Sequence, residues 1–181
     1  MKFRVVGVTG WCIAGTVILS WALLWGTGLR LNTSASIPLG FWREAAVDRA
    51  IQHGDTVAIC PANSAAFRLA KARGYLGGGW CDGSSEILFK PVAAIAGDVV
   101  DIDSTGIRVN GARIEKSNAL ASDAEGRPLP AMAPGRYVVG AAELWLVSAS
   151  NERSFDSRYF GPLRSSAVRG FLTPVWPKSA P

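Results

Sequence analysis

The sequence predicts a mainly β protein, an antiparallel β domain with one short helical insertion, tethered to a membrane by a single N-terminal helix. Three observations carry this expectation. Residues 5–29 contain no charged side chain, a run of 25 residues, and about 20 apolar residues in a helix span a bilayer core. Beyond that run, short apolar stretches rich in β-branched residues alternate with turn signals, as strands that bury one face do. A single stretch carries helix punctuation, with Asn63 or Ser64 as N-cap and Gly74 as stop.

Lys2 and Arg4 precede the apolar run and Arg30 follows it, which places the N-terminus inside and the main domain outside the cytoplasm. Trp21 and Trp25 stand where an interfacial aromatic belt forms. A cleaved secretory signal is the competing reading, but its apolar region usually runs about 7 to 15 residues. The chain is therefore divided into a cytoplasmic tip and transmembrane anchor over 1–30 and an extracytoplasmic domain over 31–181. Residues 56–60 form an expected strand, the helix follows through Arg73, and a glycine-rich stretch over 74–83 contains Cys81. Residues 87–96 and 99–103 are the next apolar runs. Between Ile107 and Ile114 the pair Asn110-Gly111 marks a two-residue hairpin turn with alternating flanks. Residues 115–135, with Pro128, Pro130 and Pro134, read as a surface loop, and 137–139, 143–148 and 168–176 complete the strands.

Composition narrows the partners. Of 181 residues, about 150 follow the apolar run, enough for one domain with its own core but not two. The net charge of +5 comes without an aromatic-basic motif or a long Lys/Arg run, so it points to a lipid bilayer and not to nucleic acid. Cys12 falls inside the apolar run and leaves Cys60 and Cys81 outside it, either as a disulfide in an oxidising compartment or as two free buried thiols. Neither belongs to a Cys-x-x-Cys pair and the chain has one histidine, so neither a metal site nor a cofactor is expected. That histidine, His53, lies in a polar, turn-like stretch, and an ordinary Ser-His-Asp triad would have to rest on it.

Three polar constellations interrupt the apolar pattern. In Asn32-Thr33-Ser34-Ala35-Ser36-Ile37-Pro38, extended geometry would turn Ser34 and Ser36 to one side, while Pro38 restrains Ile37. This stretch reads either as a nucleophile held at a membrane surface or as a polar linker leaving the anchor. Lys90 is the one charge between Ile87 and Gly97. If buried, its amine loses its proton more readily and can act as a general base near neutral pH. On the wet face of an edge strand, which Pro91 would suit, it is an ordinary lysine. In Ser154-Phe155-Asp156-Ser157-Arg158, extended geometry would line up Ser154, Asp156 and Arg158 as the wall of a site, with a solvated charged loop as the alternative.

In order along the chain, Ser36-Ile37-Pro38 after an apolar run, Lys90 followed by Gly97-Asp98, and Ser154-Phe155-Asp156-Ser157-Arg158-Tyr159-Phe160-Gly161 resemble the boxes of the type I signal peptidase family. The resemblance implies a serine peptidase with a Ser-Lys dyad on a signal-peptidase-like β fold, at the periplasmic face of a bacterial inner membrane. By the same resemblance Ser36 is the nucleophile and Lys90 the general base. Ser34 and the Ser36 backbone N–H form the oxyanion hole, Ser154 orients Lys90, and Asp156 with Arg158 braces the wall. Two departures matter: residues 148–153 read Ser-Ala-Ser-Asn-Glu-Arg where the family usually has a Gly-Asp-Asn-Arg run, and Ile37 replaces the commoner Met. Residues 32–42, the insertion between Cys60 and Cys81, and residues 154–162 are similar to the TraF-type conjugative transfer peptidases. That implies a precursor pilin, or another signal-peptide-bearing protein, as substrate, released by water or by an amine that closes a ring. A housekeeping signal peptidase and a non-enzymatic, membrane-tethered assembly factor are the alternatives. The range of precursors cleaved separates the first, and retained function in Ser36→Ala the second.

Overall fold

The computed structural model describes residues 11, 15–16, 26–61 and 63–177. In chain order its strands are β1 (Leu29–Asn32), β2 (Gly40–Ala45), β3 (Thr56–Ile59), β4 (Gly78–Cys81), β5 (Leu88–Ala94), β6 (Val99–Asp103), β7 (Gly106–Val109), β8 (Ala112–Arg113), β9 (Gly135–Val138), β10 (Glu143–Leu146), β11 (Leu163–Arg164) and β12 (Val168–Pro177). Helix α1 (Ala65–Ala72) lies between β3 and β4, and the helical turn α2 (Ser157–Phe160) lies between β10 and β11. A seven-stranded antiparallel sheet has the order β1-β2-β12-β3-β5-β10-β11, and a four-stranded one the order β8-β7-β6-β9. The architecture is mainly β with few helices.

Local signals account for several elements. Ser64 caps α1 by accepting from Phe67 N, α1 buries Phe67 and Ala70, and Gly74 follows with φ of +76°. Asn110 and Gly111 both take positive φ, 49° and 83°, as a tight turn between twisted strands requires. Cys60 and Cys81 are joined in a disulfide, Cα atoms 5.3 Å apart, so α1 is a stapled excursion between β3 and β4.

β5 positions the site. Its side chains alternate buried and half-buried, which puts Leu88, Lys90, Val92 and Ala94 on the buried side. It is an interior strand, paired with β3 through Val57↔Lys90 and with β10 through Leu146↔Val92. Lys90 therefore does not reach water from a sheet edge, and the reading of it as an ordinary edge-strand lysine fails. Pro91 is accommodated because the ladder resumes around it, with Val92 N donating to Asp55 O at 2.7 Å. Val57, Ile59, Leu88, Val92 and Leu146 pack with Phe67 beneath this sheet, and Trp145, Val100 and Ile107 form a second cluster toward the smaller sheet. Full burial of each such side chain contributes about 1.5–3 kcal/mol.

Four strands arise where the sequence suggested none: β1, β2, β4 and β11. β1 begins at Leu29, within the segment assigned to the anchor, because its pairing with β2 runs from Leu29↔Arg43 to Asn32↔Gly40. The apolar run over 5–29 otherwise lies almost wholly outside the described residues. Among those described, no helix is long and apolar enough to cross a membrane.

Candidate active site

Ser36 sits in the turn between β1 and β2. Asn32, the last residue of β1, is buried and organises this turn. Its Oδ1 accepts from Ser34 N at 3.0 Å, and its Nδ2 donates to the carbonyls of Ser34, Ile37 and Pro38 at 2.8, 3.1 and 3.0 Å. An Asn side chain that bonds backbone two residues ahead substitutes for a turn of main chain. Ser34 and Ser36 are thus brought together by a turn and not by the extended geometry expected for them. Their Oγ atoms lie 3.3 Å apart, and Ser34 Oγ accepts from Ser36 N at 3.4 Å. Ile37 and Trp42 anchor the turn against Ala58 and Leu172, and Trp42 Nε1 donates to Pro38 O at 2.9 Å.

Lys90 reaches this turn from β5. Its Nζ lies 2.6 Å from Ser36 Oγ and 2.9 Å from Ser154 Oγ, and the two hydroxyl oxygens are 3.1 Å apart. Lys90 is 4% exposed and Ser36 5%, so water does not solvate the ammonium. Burial pushes the Lys90 pKa down from 10.5 to about 8; the Asp156 carboxylate opposes that fall and the Arg158 guanidinium adds to it. A minor fraction of the amine, roughly a tenth to a fifth, is then neutral near physiological pH, against about one in a thousand for an ordinary lysine, and it stands beside the Ser36 hydroxyl.

The segment after Ser154 is not extended through Arg158. Asp156 ends the extended part by capping α2, where it accepts from Arg158 N at 3.2 Å, since an Asp at an N-cap satisfies an otherwise unpaired helix donor. Asp156 and Arg158 are buried and bidentate, Nε to Oδ1 and Nη2 to Oδ2 both at 2.8 Å, so the solvated-loop alternative also fails. The remaining guanidinium donors reach the carbonyls of Lys116, Asn118, Asn151, Glu152 and Ser154 at 2.8–3.2 Å. One side chain thereby pins the 151–154 loop and the start of the long 115–135 loop to the same wall. Asp156 Oδ2 also accepts from Ser148 N at 3.0 Å, and Ser148 Oγ donates to Ser36 O at 2.7 Å.

The contributions of Asn32 and Ser148 were not read from the sequence. The signal that existed was the substitution of Ser148-Ala149-Ser150 into a run where the resemblance has glycine and charged residues. His53 lies elsewhere: its Nε2 is 2.5 Å from Asp98 Oδ2, which ties the turn before β3 to the corner between β5 and β6. Asp98 also accepts from Ile95 N and Asn110 Nδ2, both at 2.7 Å, so the Gly97-Asp98 pair serves the join between the two sheets.

A cleft of about 430 Å³ opens beside Ser36 and Lys90. Leu31, Leu76, Ile87, Phe89, Leu129 and Phe155 supply apolar walls, and Ser34, Ser36, Lys90 and Ser154 stand together among its lining. The stapled excursion contributes Tyr75 and Leu76, and the 115–135 loop contributes Leu120 and Leu129 from the other side. Tyr75 Oη bonds Asp123 Oδ2, which holds the two together. Such a cleft fits an extended peptide, with a hydroxyl and an amine placed for acyl transfer.

The class defined by this scaffold and cleft is a serine-type peptidase. More particularly, the chain belongs to the signal peptidase family, peptidase S26, whose pattern it matches over residues 4–176. It is 38% identical over 162 residues to a plasmid transfer protein TraF of Escherichia coli, covering 89% of this chain and 90% of that one. It is 39% identical over 173 residues to a conjugal transfer protein TraF of Agrobacterium fabrum, covering 96% and 94%. A solved signal peptidase I from Enterococcus faecalis superposes with a TM-score of 0.39 at 17% identity, over 69% of this chain and 98% of that one.

Proposed function

We propose that this protein is a membrane-anchored serine endopeptidase with a Ser36–Lys90 dyad that matures a conjugative pilin precursor at the periplasmic side of the inner membrane. The observation that carries this reading is a buried amine 2.6 Å from the Ser36 hydroxyl. In this reading Lys90, neutral, takes the Ser36 proton as Oγ attacks the scissile carbonyl. The oxyanion forms against Ser34 Oγ and the Ser36 N–H, and its collapse breaks the peptide bond as Lys90 returns the proton to the leaving amine. The acyl ester on Ser36 is then released by water, or by an amine of the same substrate to close a ring. Ser154 holds Lys90 by its 2.9 Å contact, and Asp156 with Arg158 braces the wall. The apolar run ahead of β1 is the anchor, and the peptidase domain starts with β1 at Leu29. The conjugal and plasmid transfer names of the TraF relatives support a transfer-system substrate.

The test is the intact mass of a candidate pilin precursor co-expressed with wild type, Ser36→Ala, Lys90→Ala and Lys90→Arg. Cleavage by wild type alone is expected, because an arginine stays protonated and cannot serve as base. A product lighter by one water than the linear form identifies ring closure. Cleavage persisting in Lys90→Arg would remove the dyad, and equal cleavage of ordinary secretory precursors would reassign the substrate.

A further inference from the structure

The contacts around Ser36 divide into two sets. Lys90 and Ser154 touch its Oγ and so select the rotamer of the side chain. A second set grips the main chain and so fixes where the Cα sits. Ser148 Oγ donates to the Ser36 carbonyl at 2.7 Å, and Ser150 Oγ reaches the same oxygen at 3.4 Å. Within the same turn Asn32 holds the Ser34 carbonyl at 2.8 Å. Ser148 is fully buried, and its own N–H is tied to Asp156, which Arg158 locks in turn. A continuous line of hydrogen bonds therefore runs from Arg158 through Asp156 and Ser148 to the backbone of Ser36.

We infer that Ser148 is a positioning residue, which carries the rigidity of the Asp156–Arg158 pair to Ser36 by holding its carbonyl. This inference rests on the Ser36–Lys90 reading above. Ser148 does not touch the reacting atoms, so its effect falls on how often Oγ and the Ser36 N–H stand in attacking geometry. Misplacement by about 1 Å costs a reaction of this kind roughly 100-fold. The Ser150 contact is longer and more exposed, and contributes less.

The test uses the full-length chain in detergent micelles, turning over an internally quenched peptide that spans the precursor cleavage site located by the intact-mass experiment above. Ser148→Ala is expected to lower kcat by about 10-fold to 100-fold with KM within twofold of wild type. The acidic limb of the kcat–pH profile should stay where wild type has it, because Lys90 keeps its dry surroundings. Ser148→Cys is a slightly larger near-isostere that donates poorly and should lose kcat in the same way, while Ser150→Ala should change kcat less than threefold. Wild-type kcat in both Ser148 variants, a rise in KM alone, or an acidic limb moved upward would overturn the inference; the last would mean that water had reached Lys90 through a loosened wall. Ser36→Ala, run alongside, separates the two claims. Cleavage by that variant refutes the dyad, whereas an inactive Ser36→Ala beside fully active Ser148 variants refutes the positioning role alone.

Discussion

Replacing Lys90 by methionine keeps a long, flexible side chain in the interior of β5 and removes the buried charge. The folded-state pKa of Lys90 is about 8, against 10.5 for an unperturbed lysine. Well below pH 8 the amine is protonated in both the folded and the unfolded chain, and the folded state carries the full cost of burying the charge. Between pH 8 and 10.5 the unfolded chain binds the extra proton, so stability rises with pH through this window and the cost disappears above it. A shift of this size corresponds to about 3 kcal/mol. Lys90→Met also removes two hydrogen bonds to Ser36 and Ser154, but those hydroxyls lie 3.1 Å apart and can still bond one another. That loss is a constant offset of about 1–2 kcal/mol and does not vary with pH. Urea unfolding of both proteins at a series of pH values, followed by tryptophan fluorescence, gives the difference in stability and cancels the other titrating groups. The methionine variant should lose its relative advantage by about 3 kcal/mol as pH rises from 7 to 10.5. Parallel curves would show that Lys90 titrates near its ordinary value and would refute the argument from burial.

In the proposed mechanism Ser34→Ala removes one of two oxyanion donors, so cleavage of the precursor should slow by about 100-fold to 1000-fold, less than the loss in Ser36→Ala; single-turnover rates decide it. Arg158→Met leaves the Asp156 carboxylate buried without its partner and five backbone carbonyls without their donor, and should destabilise the fold by about 3–5 kcal/mol in denaturant titrations. The double change Cys60→Ser, Cys81→Ser opens a loop of sequence separation 21 and should cost about 3 kcal/mol of stability. Because that loop carries Tyr75 and Leu76 into the cleft, KM for a peptide substrate should rise as well, and unchanged KM would separate the staple from substrate binding.

Parts of the fold whose cause is local were legible in the sequence. Asn110-Gly111 marks its hairpin because two consecutive positive φ angles are demanded there, and Ser64 marks α1 because its side chain supplies the missing helix acceptor. β1 and β2 were not legible. β1 straddles the end of the apolar run, with Leu29 as the last residue of the run and Arg30 as the first charge after it, and its four residues alternate too briefly to mark a strand until the partner is known. The three polar boxes were visible as residues, and their likeness to a family gave them meaning. Pattern alone left each of them with two readings.

Composition, the uncharged run ahead of β1, the turn and cap residues, and the order of Ser36, Lys90 and Ser154 are properties of neighbours in the chain, and the sequence by itself determined them. The surroundings of those residues depend on partners far away. Lys90 is dry because it points to the buried face of an interior strand, where the Ser36 turn and the Ser154 segment pack against its amine, and a lysine amine is a usable base only where water cannot solvate its charge. Ser36 is aimed by Ser148, 112 residues further on, and Asp156 turned out to cap a helix instead of lying flat along a strand. Hydrogen bonds and burial act through space while periodicity records only the chain's own neighbours, so tertiary structure alone decided which serine, amine and amide meet.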